Sequence, residues 1–291
     1  LHLLSQHAAM LVFESTERLR NHLSSLRQQG TTTGFVPTMG ALHDGHLSLV
    51  AQSLAENDLT VVSIFVNPTQ FNNPEDLAKY PRTLEADVAR IRTLDEEVIV
   101  FAPTVDDIYK GKTVSRHFDF DGLENEMEGR FRPGHFDGVG TIVKTLFEIV
   151  EPTRAYFGEK DFQQLQIVRK MTEKEGLPVQ IVGMPVFREP NGLAMSSRNA
   201  RLTDAQRQRS SYIFQALKKA KQLFSTKSAP SVTADIIKDF QSQEGMELEY
   251  FEIADEATLR TCRRKNSRKK YRAFIAVFVG QVRLIDTIAL N

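Results

Sequence analysis

The stretch TGFVPTMGALHDGHLSLVAQSLAENDLTVVSIFV, residues 33–66, decides the fold. Residues 33–38 are a short run rich in β-branched and aromatic side chains, and 59–66 are a second such run, so both read as buried strands. Between them, residues 46–56 carry apolar side chains at helical spacing. Strand, helix, strand is the βαβ unit that builds a parallel sheet.

The same alternation runs outward from this unit. Helices are expected near 83–94, 139–150 and 161–174, and strands near 98–102, around Ala155 and at 179–182. This is an α/β, doubly wound, Rossmann-like layout, in which ligands sit beyond the carboxyl ends of the strands. After Pro185 the texture changes to a loop rich in Gly, Asn and Ser. A long helix follows, opened by Thr203 with Gln206 three residues on, the spacing of a capping box. A helix near 232–241 and alternating runs at 248–253 and 273–279 complete the chain. A boundary near Met184 therefore divides a Rossmann-like domain, 1–184, from a smaller α+β domain, 185–291.

Composition narrows the function classes. Lysine plus arginine and aspartate plus glutamate both total 37, so no global field favours a polyanion, and any anion must be held by local groups. The single cysteine, Cys262, excludes an internal disulfide, and no Cys/His spacing matches a structural zinc site. No apolar run reaches the roughly 18 residues of a membrane span. Residues 1–10 show no pattern and read as an extension, with Met10 the expected native start. The expectation is a soluble, cytoplasmic protein without membrane or nucleic-acid partners. The basic run at 263–270 lacks aromatic interleaving and reads as a solvated loop between a helical segment and a strand.

Three segments carry candidate chemistry. In PTMGALHDGH, residues 37–46, two glycines permit close backbone approach, a helix N-terminus offers N–H groups to phosphate, and His43 and His46 share one helical face. In GEKDFQQ, residues 158–164, Lys160 and Asp161 lie four and three residues before Gln164, which places a charge and an amide toward one crevice. In MSSRN, residues 195–199, two hydroxyls and a guanidinium sit just past the boundary, suited to closing on phosphates. Two loops rich in polar and turn residues, 67–72 and 129–136, add Gln70 as a candidate for a carboxylate or hydroxyl.

These segments resemble, in order, motifs of the pantothenate synthetase (pantoate–β-alanine ligase) family: P-T-M-G-x-L-H-x-G-H at 37–46, V-N-P-x-Q-F at 66–71, R-P-G-H-F at 132–136, G-x-K-D at 158–161, x-S-S-R-N at 195–199 and R-L-I-D at 283–286. The family lies within the H-x-G-H nucleotidyltransferases and class I aminoacyl-tRNA synthetase-like proteins. The resemblance covers residues 33–291. It implies that pantoate carboxylate attacks the α-phosphorus of Mg-ATP and that β-alanine then discharges the pantoyl-adenylate. It further implies catalytic roles for His46, His43, Lys160, Ser196, Ser197 and Arg198, with His46 the donor. ATP would be held by Met39, Gly40, Ala41, Leu42, His43, Asp44, Gly45 and His46, by Gly158, Glu159, Lys160 and Asp161, and by Phe187, Met195, Ser196, Ser197 and Arg198. Pantoate and β-alanine would be held by Gln70, Gln164 and Met39, and Asp161 would lie in the Mg2+ region. A homodimer, and a small domain that moves over the reactive anhydride, also follow from the resemblance. The competing readings are another H-x-G-H nucleotidyltransferase, a class I aminoacyl-tRNA synthetase, a nucleotide-binding regulator without catalysis, and an RNA binder acting through the basic loop, which predicts steeply salt-dependent RNA affinity.

Overall fold

The computed structural model describes residues 10–291, so the expected extension lies, up to residue 9, outside the described residues. Six strands form one sheet: β1 (Val12–Phe13), β2 (Thr33–Thr38), β3 (Leu59–Ile64), β4 (Ile99–Phe101), β5 (Arg154–Gly158) and β6 (Gln180–Met184). Their order is β1-β4-β3-β2-β5-β6, in parallel pairing with helices between them. Strands buried on both faces need apolar side chains at successive positions, and β4 is buried throughout while β2 is buried at every position except Pro37. From β2 the chain winds through β3 to β4, then returns to the other side of β2 for β5 and β6. Strand order thus reverses between β2 and β5, which pair at Gly34–Arg154 and Phe35–Ala155. Such a reversal opens the crevice that binds ligands in doubly wound sheets.

Three further strands, β7 (Met246–Asp255), β8 (Tyr271–Val279) and β9 (Val282–Ala289), make an antiparallel sheet in that order. The central strand β8 is buried almost throughout, whereas β9 alternates over its first four residues. Helices Asp204–Phe224 and Ala229–Phe240 cover the sheet and supply Ile213, Leu217, Phe224, Val232 and Ile236 to its core, which also holds Cys262. Each side chain fully buried in this way contributes about 1.5–3 kcal/mol. The expected capping box is present: Thr203 Oγ1 accepts from Gln206 N–H at 3.2 Å, and Gln206 Oε1 accepts from Thr203 N–H at 3.0 Å.

The chain divides into two compact units. The first comprises the described residues up to Phe118, with Asp137–Phe157 and Met171–Gly183. The second comprises Asp119–Phe136, Gly158–Lys170 and Met184–Asn291. The basic run follows strand β7 and not a helical segment, because β7 pairs with β8 as a hairpin and the run is their connection. It is exposed throughout; Lys269 pairs with Asp255 at 2.9 Å and Lys265 donates to the Phe224 carbonyl.

Candidate functional site

In the first unit the loop after β2 is fixed atom by atom. Thr38 Oγ1 donates to the Ser63 carbonyl at 2.7 Å and accepts from Gly40 N–H at 3.2 Å. Gly40 and Ala41 both take left-handed backbone, at φ +82° and +49°. For alanine this conformation costs about 1–2 kcal/mol. The buried carboxylate of Asp87, on helix Leu84–Arg92, offsets that cost. Its Oδ2 accepts from Ala41 N–H at 3.0 Å and its Oδ1 from Leu42 N–H at 2.7 Å. A hydrogen bond to a charged group contributes about 1.5–3 kcal/mol, so the pair outweighs the strain.

These bonds change what the loop can offer an anion. The amides of Gly40, Ala41 and Leu42 point at acceptors of the protein itself. Helix Asp44–Glu56 begins immediately afterwards, with His43 as its N-cap. By their position its first amides, on Asp44 and Gly45, have no acceptor within the helix. His46 Nδ1 accepts from His43 N–H at 3.3 Å, so the neutral imidazole carries its proton on Nε2. The two rings lie 4.0 Å apart between centroids and both residues are half-buried.

The same unit holds Met39 and Gln70 together, with Gln70 Nε2 at 3.3 Å from Met39 Sδ. Gln70 is oriented by Asn67, whose Nδ2 donates to Gln70 Oε1 at 3.1 Å and to the Gly138 carbonyl at 3.2 Å. Asn67 Oδ1 in turn accepts from Tyr109 Oη at 2.5 Å, and burial pushes the Tyr109 phenol up. The carboxamide of Gln70 therefore turns its NH2 toward Met39.

In the second unit three separated motifs meet. Glu159–Asp161 forms one tight turn, with Lys160 Nζ 3.6 Å from Asp161 Oδ2. Phe187 and Met195 sit on a hairpin closed by Met195 N–H to the Phe187 carbonyl at 2.9 Å. Arg188 of that hairpin pairs bidentately with Asp286 of β9, at 2.6 and 3.0 Å. Burial pushes the Asp286 carboxyl up, while the charges of Arg188 and Lys160 oppose it, so Lys160 acts on the same carboxylate. Ser196 caps the turn Ser197–Arg201, its Oγ accepting from Arg198 N–H at 3.2 Å. Buried Asn199 anchors the turn through the Ala194 carbonyl at 3.1 Å and Glu189 at 2.9 Å. Gln164 is half-buried in the first turn of helix Phe162–Lys174, and its neighbour Gln163 is structural, bonded to Glu128 N–H and to the carbonyls of Leu123 and Glu126.

A charge network underlies this unit. Glu128 accepts from Arg283 at 2.7 and 2.9 Å and from Tyr250 Oη at 2.8 Å. Burial would push the Glu128 carboxyl up, but Arg283 and Arg132 hold it down at about 2. Burial also pushes Arg132 down, against the pull of Glu128 and with the help of the like charge of Arg198. Asp87, Arg90 and Tyr109 were not singled out from the sequence; the i, i+3 pair Asp87 and Arg90 on an amphipathic helix carried no signal distinct from a solvated face.

The chain matches the pantoate-beta-alanine ligase family over residues 11–289. It is 62% identical over 282 residues to a pantothenate synthetase of Flavobacterium psychrophilum, covering 97% of this chain and 100% of the relative. It is 52% identical to one from Christiangramia forsetii, with the same coverage. Among solved structures, a pantothenate synthetase of Thermus thermophilus superposes with a TM-score of 0.89 at 37% identity, over 97% of this chain and 99% of that one. A pantoate-beta-alanine ligase of Francisella tularensis, complexed with beta-gamma ATP and beta-alanine, superposes with a TM-score of 0.80 at 35% identity, over 97% and 98%. A match of this extent, on a six-stranded parallel sheet with an added three-stranded one, makes the chain a member of the pantoate–β-alanine ligase family.

Proposed function

We propose that this ligase condenses pantoate with β-alanine to pantothenate through a pantoyl-adenylate. The observation that supports the reading best is topological: PTMGALHDGH and GEKD follow β2 and β5, the two strands between which strand order reverses. A pantoate carboxylate oxygen bonds to the α-phosphorus of ATP while the bond to the bridging oxygen breaks and pyrophosphate leaves with the electron pair. The amine of β-alanine then attacks the acyl carbon, AMP departs as the leaving group, and the nitrogen loses a proton to solvent or base.

His46 Nε2 and His43 donate to phosphate oxygens as charge grows there, together with the amides of Asp44 and Gly45. Lys160 neutralises phosphate charge, and Gly158, Glu159 and Asp161 serve the ribose side. Ser196, Ser197 and Arg198 hold the leaving pyrophosphate, with Met195 and the Phe187 backbone beside the adenine. Gln70 and Gln164 bind the hydroxyls and carboxylate of pantoate, and Met39 packs on its methyl groups. Among the described residues no group of three His, Cys, Asp or Glu side chains is arranged to hold a metal ion. Mg2+ that arrives on a triphosphate needs only one or two carboxylates, and the partly exposed Asp161 carboxylate fits that need. There the ion would offset phosphate charge. Among the described residues no helix is long and apolar enough to cross a membrane. A cytoplasmic homodimer accords with this reading.

The test is AMP release from ATP, pantoate and β-alanine, omitting each in turn. Full release should require all three, and pyrophosphate–ATP exchange should require pantoate but not β-alanine. Exchange that needs β-alanine, or a product that retains the nucleotide, sinks the reading in favour of another nucleotidyltransferase.

A further inference from the structure

Helix Leu84–Arg92 contributes no residue to the roles assigned above, yet it grips the loop that leads to both imidazoles. Asp87 is 2% exposed, a burial that a carboxylate tolerates only when its oxygens are satisfied. Its Oδ1 takes the Leu42 amide and its Oδ2 takes the Ala41 amide together with the hydroxyl of Thr83 at 3.2 Å. One turn on, Arg90 donates to the Leu42 carbonyl at 3.0 Å and lies 3.7 Å from the Asp44 carboxylate. The helix thus offers acceptors to the loop amides and a donor to the next carbonyl. The fit is close: a Cβ on Gly40 would stand 3.0 Å from Asp87 Oδ2 and 3.1 Å from Ile64 Cγ2. His43 follows directly, and its own N–H sets the His46 tautomer.

We propose that Asp87, seconded by Arg90, is a positioning residue for the adenylation step, holding the backbone of residues 40–42 so that His43 and His46 present their donors at the reacting phosphate. The inference rests on the role proposed for the imidazoles. A carboxylate that accepts three donors of the protein itself is a fixture of the loop. Displacement of a reacting group by about 1 Å costs on the order of 10²-fold in rate, so loosening this grip acts on kcat.

The experiment compares Asp87→Asn, Arg90→Gln and His46→Ala with the wild-type enzyme. It uses pantoate-dependent pyrophosphate–ATP exchange and ¹⁵N-histidine spectra near about pH 8, where imidazole is neutral. Asparagine keeps the shape but turns an NH2 toward a backbone N–H. The expected result for Asp87→Asn is a kcat lower by about 10- to 100-fold with pantoate KM within about twofold of wild type. His46 should pass from a single Nε2–H tautomer to a mixture, a change that general loss of stability in a still-folded variant does not produce. Arg90→Gln, on a half-exposed side chain, should show the same signature with a loss of about 3- to 10-fold, and it decides the matter if Asp87→Asn does not fold. A folded Asp87→Asn with wild-type kcat and an unchanged tautomer overturns the proposal. So does full recovery of kcat on raising Mg2+, which would make Asp87 a metal ligand. Wild-type exchange in His46→Ala removes the underlying role of the imidazoles, an outcome distinct from failure at Asp87 alone.

Discussion

His46 has one nitrogen committed to the backbone and its proton on the other, and that asymmetry makes it the stronger donor candidate of the pair. Replacing it with alanine should slow adenylate formation by about 10²-fold or more, read as the rate of pyrophosphate release with pantoate and ATP present. Gly138 tests the other substrate. A Cβ there would lie 2.5 Å from the Thr69 carbonyl oxygen and 2.8 Å from Gln70 Cα, too close for either to stay in place. Gly138→Ala should therefore displace Gln70 and raise the pantoate KM by about tenfold while ATP KM holds, measured by initial rates with each substrate varied. An unchanged pantoate KM would remove Gln70 from the pantoate site.

At the scale of elements, much of the architecture was legible. Residues 33–38 became β2 without adjustment, and the segment read as 203–206 became a true capping box, because both signals are local. The edge strand β1 was not legible, since two residues show no period, and helix Thr16–Arg27 was passed over although Ser15 caps it and Leu19 and Leu23 are buried four apart. Asp87 escaped for a different reason: its partners are backbone amides 45 and 46 residues away, and backbone donors leave no mark in a sequence. Glu128 and Arg283 lie 155 residues apart and were likewise invisible as a pair. Their bond has a pH consequence. Glu128 is held at about 2 against an ordinary 4.5, so its stabilising effect is complete above about pH 4.5 and lost as pH falls toward 2. The difference amounts to about 3 kcal/mol. Urea midpoints taken from pH 5 down to pH 2.5 should fall more steeply in wild type than in a Glu128→Gln variant, and parallel slopes would contradict the assignment.

For the whole molecule, the composition of the second unit matters more than the position of a single boundary. Residues 119–136 and 158–170 belong with it, and they carry Glu128 for Arg283 and Phe162 for the stacked Arg272, 4.0 Å from the ring centroid. A fragment of residues 185–291 lacks both partners, leaving the part-buried Arg283 with Glu249 and the buried Arg272 with Glu256 as their remaining carboxylates. Each charged hydrogen bond lost with Glu128 costs about 1.5–3 kcal/mol. Such a fragment should fail to give a cooperative thermal transition by circular dichroism, and a fragment that melts as sharply as the intact chain would show these partners to be dispensable.

The core of that second unit also contains a chemical clock. Cys262 is the chain's sole thiol and is 6% exposed, and its burial pushes the thiol pKa up, so an alkylating reagent meets it only when the surrounding sheet opens. Modification of the native enzyme at a saturating rate of reclosing then reports the free energy of that opening, without any label being engineered.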